Sequence, residues 1–159
     1  MGYLFHIMAI DEIDQKIILT LQEQGRWSTQ KISRKTGIPI TTVHHRIKKM
    51  EERRIIKGYT VILNHQLMGN QVLAYVLLKG DINYLREKNI SPLEIIHNLQ
   101  KKGFVEEIDS TTGHYDYIIK IRVKNMSELS KILVNHIRRI PGIGSTETLL
   151  VLDEEGKFN

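Results

Sequence analysis

The segment from Arg26 to Gly58 carries two short helical patterns on either side of a glycine turn, and no other feature limits the fold of this chain as strongly. The first pattern opens at Ser28 or Thr29, either of which can cap a helix. It places Ile32 inward and stops at Gly37, where a residue without a Cβ admits the left-handed geometry of a helix C-terminus. The second follows Pro39 and runs to about Arg54. At ~100° per residue, Val43, Ile47 and Met50 share one narrow arc and predict a buried stripe. Thr41, His45, Lys48, Lys49 and Glu52 point away from that stripe, and Thr42, His44 and Arg46 lie on its flanks. Two such helices around a glycine turn outline a helix-turn-helix.

Charge is concentrated in the same segment. It holds ten Lys and Arg against two Glu, a net of +8, whereas the whole chain is +5, so the remainder sums to −3. A local cationic surface of this size expects a polyanion, with double-stranded DNA first among the partners. A third helix is needed to complete the small core, and residues 11–24 supply it. Asp11 can cap that helix, Asp14 adds negative charge near its positive end, and Ile13, Ile17 and Leu21 recur every four residues beside Ile10 and Ile18. Trp27 is read as closing this core, since single-strand binders stack bases on several aromatics and none accompany it.

With 159 residues, 41% of them apolar, the chain has the size of one to two globular domains. Cysteine is absent, which excludes zinc fingers, thiol catalysis and disulfide scaffolds and favours a cytoplasmic protein. Residues 3–10 are apolar but far short of the ~20 needed to span a membrane, and they lack the charged start and cleavage site of a signal peptide. Met8 is an alternative start, so the first seven residues are read as an extension. The seven histidines suggest no metal site: His44 and His45 diverge by ~100° on a helix, and no cysteine or paired-His motif supports them. No cofactor is expected.

Beyond Gly58 the acids and bases balance at twelve each and the periodicity changes. Tyr59, Val61 and Leu63 alternate with polar or outward positions and predict a strand leaving the basic unit, followed by a hinge over 64–70. Residues 71–79 read as an aliphatic strand. Ser91, Pro92 and Glu94 mark the start of a helix to about 102, and residues 104–111 and 115–124 form a hairpin joined at Thr112, Gly113 and His114. Ser127 and Leu129 open a second helix that ends at Pro141 and Gly142, and residues 145–153 make the last strand. Strand, helix, strand, strand, helix, strand is the ferredoxin-like order. The expected fold class is therefore α+β, with an N-terminal winged helix-turn-helix over 1–58, a linking strand and hinge over 59–70, and a C-terminal ferredoxin-like βαββαβ domain over 71–159.

Four segments, in order, carry a family resemblance: IDEIDQKIILTLQEQGR at 10–26, KMEERRIIKGYTVILN at 49–64, DSTTGHYDYIIKIRV at 109–123 and PGIGSTETLLVL at 141–152. Together they resemble the Lrp/AsnC, or feast/famine, transcription regulators along almost the whole chain. The resemblance implies an N-terminal DNA-binding domain and a C-terminal domain that dimerises, assembles further to tetramers or octamers in many members, and senses amino acids or related small molecules. Two features depart from the pattern. Pro39 stands where the family usually has a capping serine, and the connection GDINYLREKNI at 80–90 is longer than usual and reads as a solvated loop.

On this reading Thr41, Thr42 and His45 approach base edges and Arg46, Lys48 and Lys49 meet phosphates, with Ser28, Thr29 and His44 completing the DNA-facing set. The effector turn is Thr112, Gly113, His114, Tyr115 and Asp116: Gly113 lets backbone N–H groups converge on a carboxylate, and Asp116 offers an acceptor to an ammonium group. Thr146 and Thr148 alternate on the last strand and match the same family site. The plainer alternatives are a solvated charged helix face, a glycine and aspartate that simply make the turn, and threonines present for strand propensity. A regulator rather than an enzyme is expected. The competing class is a tetrapyrrole-binding enzyme of the sirohaem decarboxylase type, which shares the two-domain architecture.

Overall fold

In the computed structural model, residues 10–154 are described; the expectations for residues 3–9, including Met8 as a start, lie outside them. The chain divides into two compact units at Ile62 and Leu63.

The N-terminal unit is three helices, α1 Glu12–Glu23, α2 Thr29–Thr36 and α3 Ile40–Glu52. Local chemistry sets their ends. Asp11 caps α1 by accepting the Asp14 N–H at 2.9 Å, and Ser28 caps α2 by accepting the Lys31 N–H at 3.4 Å. Gly37 closes α2 at φ 72°, in the left-handed region. The turn that follows leaves few orphan groups: the Ser33 hydroxyl donates to the Ile38 carbonyl at 2.6 Å, and Thr36 Oγ1 accepts the Ile38 N–H at 3.3 Å. At α3 the cap position is Pro39, which makes no side-chain cap hydrogen bond, so the first turn of this helix is left open.

Ile17, Ile32, Ile38, Val43 and Met50 form the core of this unit, with Ile18, Leu21, Trp27, Ile47 and Ile56 packed against it. Trp27 is thus a packing residue. Ile13, expected inward, is 36% exposed, because the stripe of α1 runs through Ile17, Ile18 and Leu21 instead. The strand expected over 59–63 is not formed within the chain: residues 58–64 have no ladder partner, and Tyr59, Val61, Ile62 and Leu63 are all exposed. Strand formation requires a partner for the backbone N–H and C=O groups, and none is available inside one chain.

The C-terminal unit contains β1 Val72–Gly80, α4 Ile82–Glu87, α5 Pro92–Gln100, β2 Val105–Ser110, β3 Tyr117–Val123, α6 Met126–Ile132 and β4 Ile143–Leu150, with a π turn over Leu133–Ile137 extending α6. Its antiparallel sheet has the order β2-β3-β1-β4, as the ferredoxin-like arrangement requires. Register places Ala74, Val76 and Leu78 beside Ile121, Ile119 and Tyr117 on one face. That face is sealed by Ile95 and Leu99 of α5 and by Leu129, Ile132 and Ile137. The opposite face carries Tyr75, Leu77, Ile118 and Leu149, aligned by the same registers.

One local expectation is corrected. The 80–90 connection is not a loop: Asp81 accepts the Tyr84 N–H at 3.0 Å and caps the short helix α4, whose Leu85 packs on the core. At α6 the cap is Asn125, which accepts the Glu128 N–H at 2.9 Å while Glu128 accepts the Lys124 N–H at 2.9 Å, and Ser127 lies in the first turn that follows.

Candidate functional site

Helix α3 presents Thr41, His44, His45 and Lys48 to solvent, with Thr42 and Lys49 half-buried at its margins. Val43 and Met50 anchor the opposite side, so burial of one stripe fixes which side chains the helix can offer. Lys48 faces Glu52 at 3.9 Å with both side chains mostly exposed, a contact weak enough to yield to a phosphate. Ser28 is engaged as the α2 cap, and Thr29 begins that helix half-buried.

Arg46 differs from its neighbours. Its Nη1 lies 2.5 Å from Asp11 Oδ2 and 3.2 Å from Asp14 Oδ1, so the guanidinium expected at a phosphate is engaged by the first turn of α1. The Asp14 backbone N–H, with Arg46 adding to it, holds the Asp11 carboxyl below its ordinary range. In return, the Asp11 carboxylate raises the Arg46 guanidinium above its own. Beyond the helix, the Tyr59 phenol donates to Glu51 Oε1 at 2.8 Å.

In the C-terminal unit the hairpin turn is held by its own residues. Gly113 has φ 122°, Thr111 Oγ1 donates to the Tyr115 carbonyl at 2.7 Å, and the Asp116 carboxylate accepts the Gly80 N–H at 2.7 Å. Asp116, expected as an acceptor for a ligand, therefore has a structural bond already. The Tyr115 hydroxyl donates to Glu147, which holds that phenol above its usual range, and His114 stacks edge-on to Tyr115 at 4.7 Å.

Thr146 and Thr148 pair with Leu78 and Val76 and share their helix-covered face, while Glu147 pairs with Leu77 and points the other way. It is Glu147, absent from the sequence-derived set, that meets Tyr115. Its signal was its place between the two threonines, where alternation sends it to the opposite face. Surface grooves of about 320 and 520 Å³ lie elsewhere in this unit, by Gln100 and Glu106 to Asp109 and by Ile82, Leu85 and Ile90 to Pro92, and neither is lined by residues 112–116.

Sequence also left out an ionic cluster on the open side of the sheet. Arg122, with a side chain only 4% exposed, donates through Nε to Glu106 at 2.8 Å and through both terminal nitrogens to Glu154 at 2.6 and 2.8 Å. Lys120 lies 3.6 Å from Glu106 and Glu107, and His65 Nε2 lies 3.9 Å from Glu106.

A three-helix unit offering an exposed, basic second helix of a helix-turn-helix, together with a separate βαββαβ unit, defines a two-part DNA-binding regulator. Residues 10–57 match the family description of a winged helix-turn-helix DNA-binding domain, and residues 82–157 that of the Lrp/AsnC ligand binding domain. The chain is 39% identical over 145 residues to the HTH-type transcriptional regulator FL11 of Pyrococcus abyssi, across 91% of both proteins. It is 32% identical over 154 residues to the leucine-responsive regulatory protein of Haemophilus influenzae, across 95% of this chain and 89% of that one. Escherichia coli AsnC superposes with a TM-score of 0.79 at 27% identity, covering 92% of this chain and 95% of that one. A transcriptional regulator from Neisseria meningitidis, solved as its L-Met complex, shares the fold with a TM-score of 0.83 at 21% identity over 93% of each chain.

The chain belongs to the Lrp/AsnC family. It is a DNA-binding transcriptional regulator, and the relatives it matches bear the names of regulators, the class expected ahead of the tetrapyrrole enzyme. Among the described residues, no helix is long and apolar enough to cross a membrane.

Proposed function

We propose that this regulator acts in the cytoplasm as a twofold oligomer that presents two copies of α3 to a pseudo-palindromic duplex and responds to an amino acid or related small molecule. The observation that carries the reading is the exposed polar face of α3, opposite the Val43 and Met50 stripe, within a segment of net charge +8. Thr41, Thr42 and His45 read base edges, Lys48 and Lys49 neutralise phosphates, and His44 and Thr29 lie at the margins of the contact. The functional division is residues 1–58 for DNA, 59–70 for the link and 71–159 for assembly and sensing.

A homodimer is favoured by two features of the single chain. Residues 58–64 offer a segment with no ladder partner, and the sheet leaves Tyr75, Leu77, Ile118 and Leu149 on a face without helices. Tetramers or octamers would arise from further copies. The effector turn at Thr112, Gly113, His114, Tyr115 and Asp116 is open on one chain, so a second copy would wall the ligand in, with Thr146 and Thr148 at the same end of the sheet. The L-Met complex of the Neisseria relative favours an amino acid as the ligand class. Ligand would act by preferring one assembly or dimer geometry over another.

Selection from random duplex DNA with the purified protein, at two salt concentrations, tests this. The expected result is an enriched pseudo-palindrome with half-sites one turn, ~34–36 Å, or a multiple apart. Salt-sensitive binding with no enriched sequence would overturn sequence-specific readout. The recovered duplex then serves for screening amino acids as effectors.

A further inference from the structure

Arg46 sits in the middle of α3, at the margin of the face that meets DNA, yet its charge is turned toward its own protein. Nη1 reaches Asp11 Oδ2 at 2.5 Å and the two Asp14 oxygens at 3.2 and 3.3 Å. Asp11 is shared: Oδ1 caps α1 through the Asp14 N–H while Oδ2 takes the arginine. The contact is partly withdrawn from solvent, with the Asp14 side chain 15% exposed and that of Arg46 27%. Two carboxylates side by side need a cation, and a planar guanidinium that spans both is the side chain suited to the task.

From this geometry we infer that Arg46 is a positioning residue for DNA recognition, holding α3 against the first turn of α1, and is not a phosphate ligand. The inference rests on the reading of α3 as the recognition helix. One arginine between two aspartates also adds no positive charge at that edge, so the electrostatic work falls to Lys48 and Lys49. A clamp across 35 residues of chain links the pitch of the recognition helix to the helix before it. A small misplacement of α3 then weakens every base contact at once.

The two roles give opposite signs in one experiment. Affinity for the selected duplex and for a mixed-sequence duplex of equal length is measured against salt for wild type, Arg46→Gln, the double variant Asp11→Asn/Asp14→Asn, their combination, and Lys48→Ala. Asparagine is itself a good helix cap, so the double variant keeps α1 capped while losing both charges. As a positioning clamp, Arg46→Gln and the carboxylate variant each lower affinity for the selected duplex about three- to tenfold, the combination is no worse than Arg46→Gln alone, and the salt slope stays at the wild-type value. A phosphate ligand would instead give Arg46→Gln a slope shallower by ~0.9, and removing two carboxylates beside the DNA would tighten binding. Either result overturns the inference. Should Arg46→Gln fail to fold, the sign of the carboxylate variant still decides. If Lys48→Ala leaves the slope unchanged, the recognition-helix reading fails, and the role of Arg46 with it.

Discussion

The Asp116 carboxylate accepts the Gly80 backbone N–H at 2.7 Å, tying the start of β3 to the end of β1 where the β1–β4 register shifts. Asp116→Ala is expected to leave the Gly80 N–H without a partner, at a cost of about 1–3 kcal/mol, whereas Asp116→Asn keeps an acceptor and costs less. Chemical denaturation of the three proteins checks the order. Equal stability of the alanine variant and wild type would return this aspartate to a purely ligand-facing role.

The Tyr59 phenol, on a side chain otherwise exposed, is pushed up to about 12, first by partial loss of solvent and then by its bond to Glu51. A group raised in the folded state favours its neutral form there. Its contribution is fully present below the unfolded value of 10.0 and is lost as pH rises through about 12. Ultraviolet titration should therefore show a late tyrosine that disappears in Tyr59→Phe and titrates earlier in Glu51→Gln.

Arg122 joins β3 to Glu106 of β2 and to Glu154 near the end of the described chain. Its two carboxylate partners retain some solvent, so Arg122→Met is expected to cost ~2 kcal/mol rather than the 3–5 kcal/mol of a fully buried broken pair. Arg122 holds the Glu154 carboxyl below its usual 4.5. The stability gained is present above pH 4.5 and lost as pH falls through the depressed value. Acid unfolding curves of wild type and Arg122→Met should converge at the acid end.

Gly142 has φ +89°, and a Cβ built there would lie 2.3 Å from Leu85 Cδ2. Gly142→Ala is expected to destabilise by about 1–3 kcal/mol through backbone strain and overpacking. Adding Leu85→Ala should recover only the steric part, which a double-mutant cycle on thermal stability would read. Full additivity would mean that α4 does not pack over this turn.

On α3, Lys48→Ala should weaken binding equally on all duplexes and reduce the salt slope by ~0.9, while Thr41→Ala and His45→Ala should change the preference between sequences by ~1–3 kcal/mol. Equal loss from all three on every sequence would sink the division into phosphate and base contacts.

Much of this molecule follows from short-range rules. Asp11, Ser28 and Ser91 cap the helices that follow them, and Gly37 ends α2 in the left-handed region. These interactions span a few residues, so spacing alone predicts them. The succession of strands and helices in the C-terminal unit and the Val43 and Met50 stripe are equally legible, because burial imposes a period on the sequence. The Asp81 cap is not legible in the sequence, since a six-residue helix offers almost no periodicity to set it apart from a solvated loop.

What the sequence by itself determined is most of the elements and their ends, apart from α4 and the unformed strand over 59–63, and that a basic helix-turn-helix precedes a ferredoxin-like unit. The tertiary structure alone decided which polar groups meet. Arg46 goes to Asp11 and Asp14, Asp116 to Gly80, Tyr115 to Glu147 and Arg122 to Glu106 and Glu154, at separations of 16 to 36 residues. The reason is physical. A cap or a buried stripe is set by local backbone geometry, whereas a charged side chain takes whichever partner the packed elements bring within ~3 Å, and no one-dimensional pattern encodes that distance.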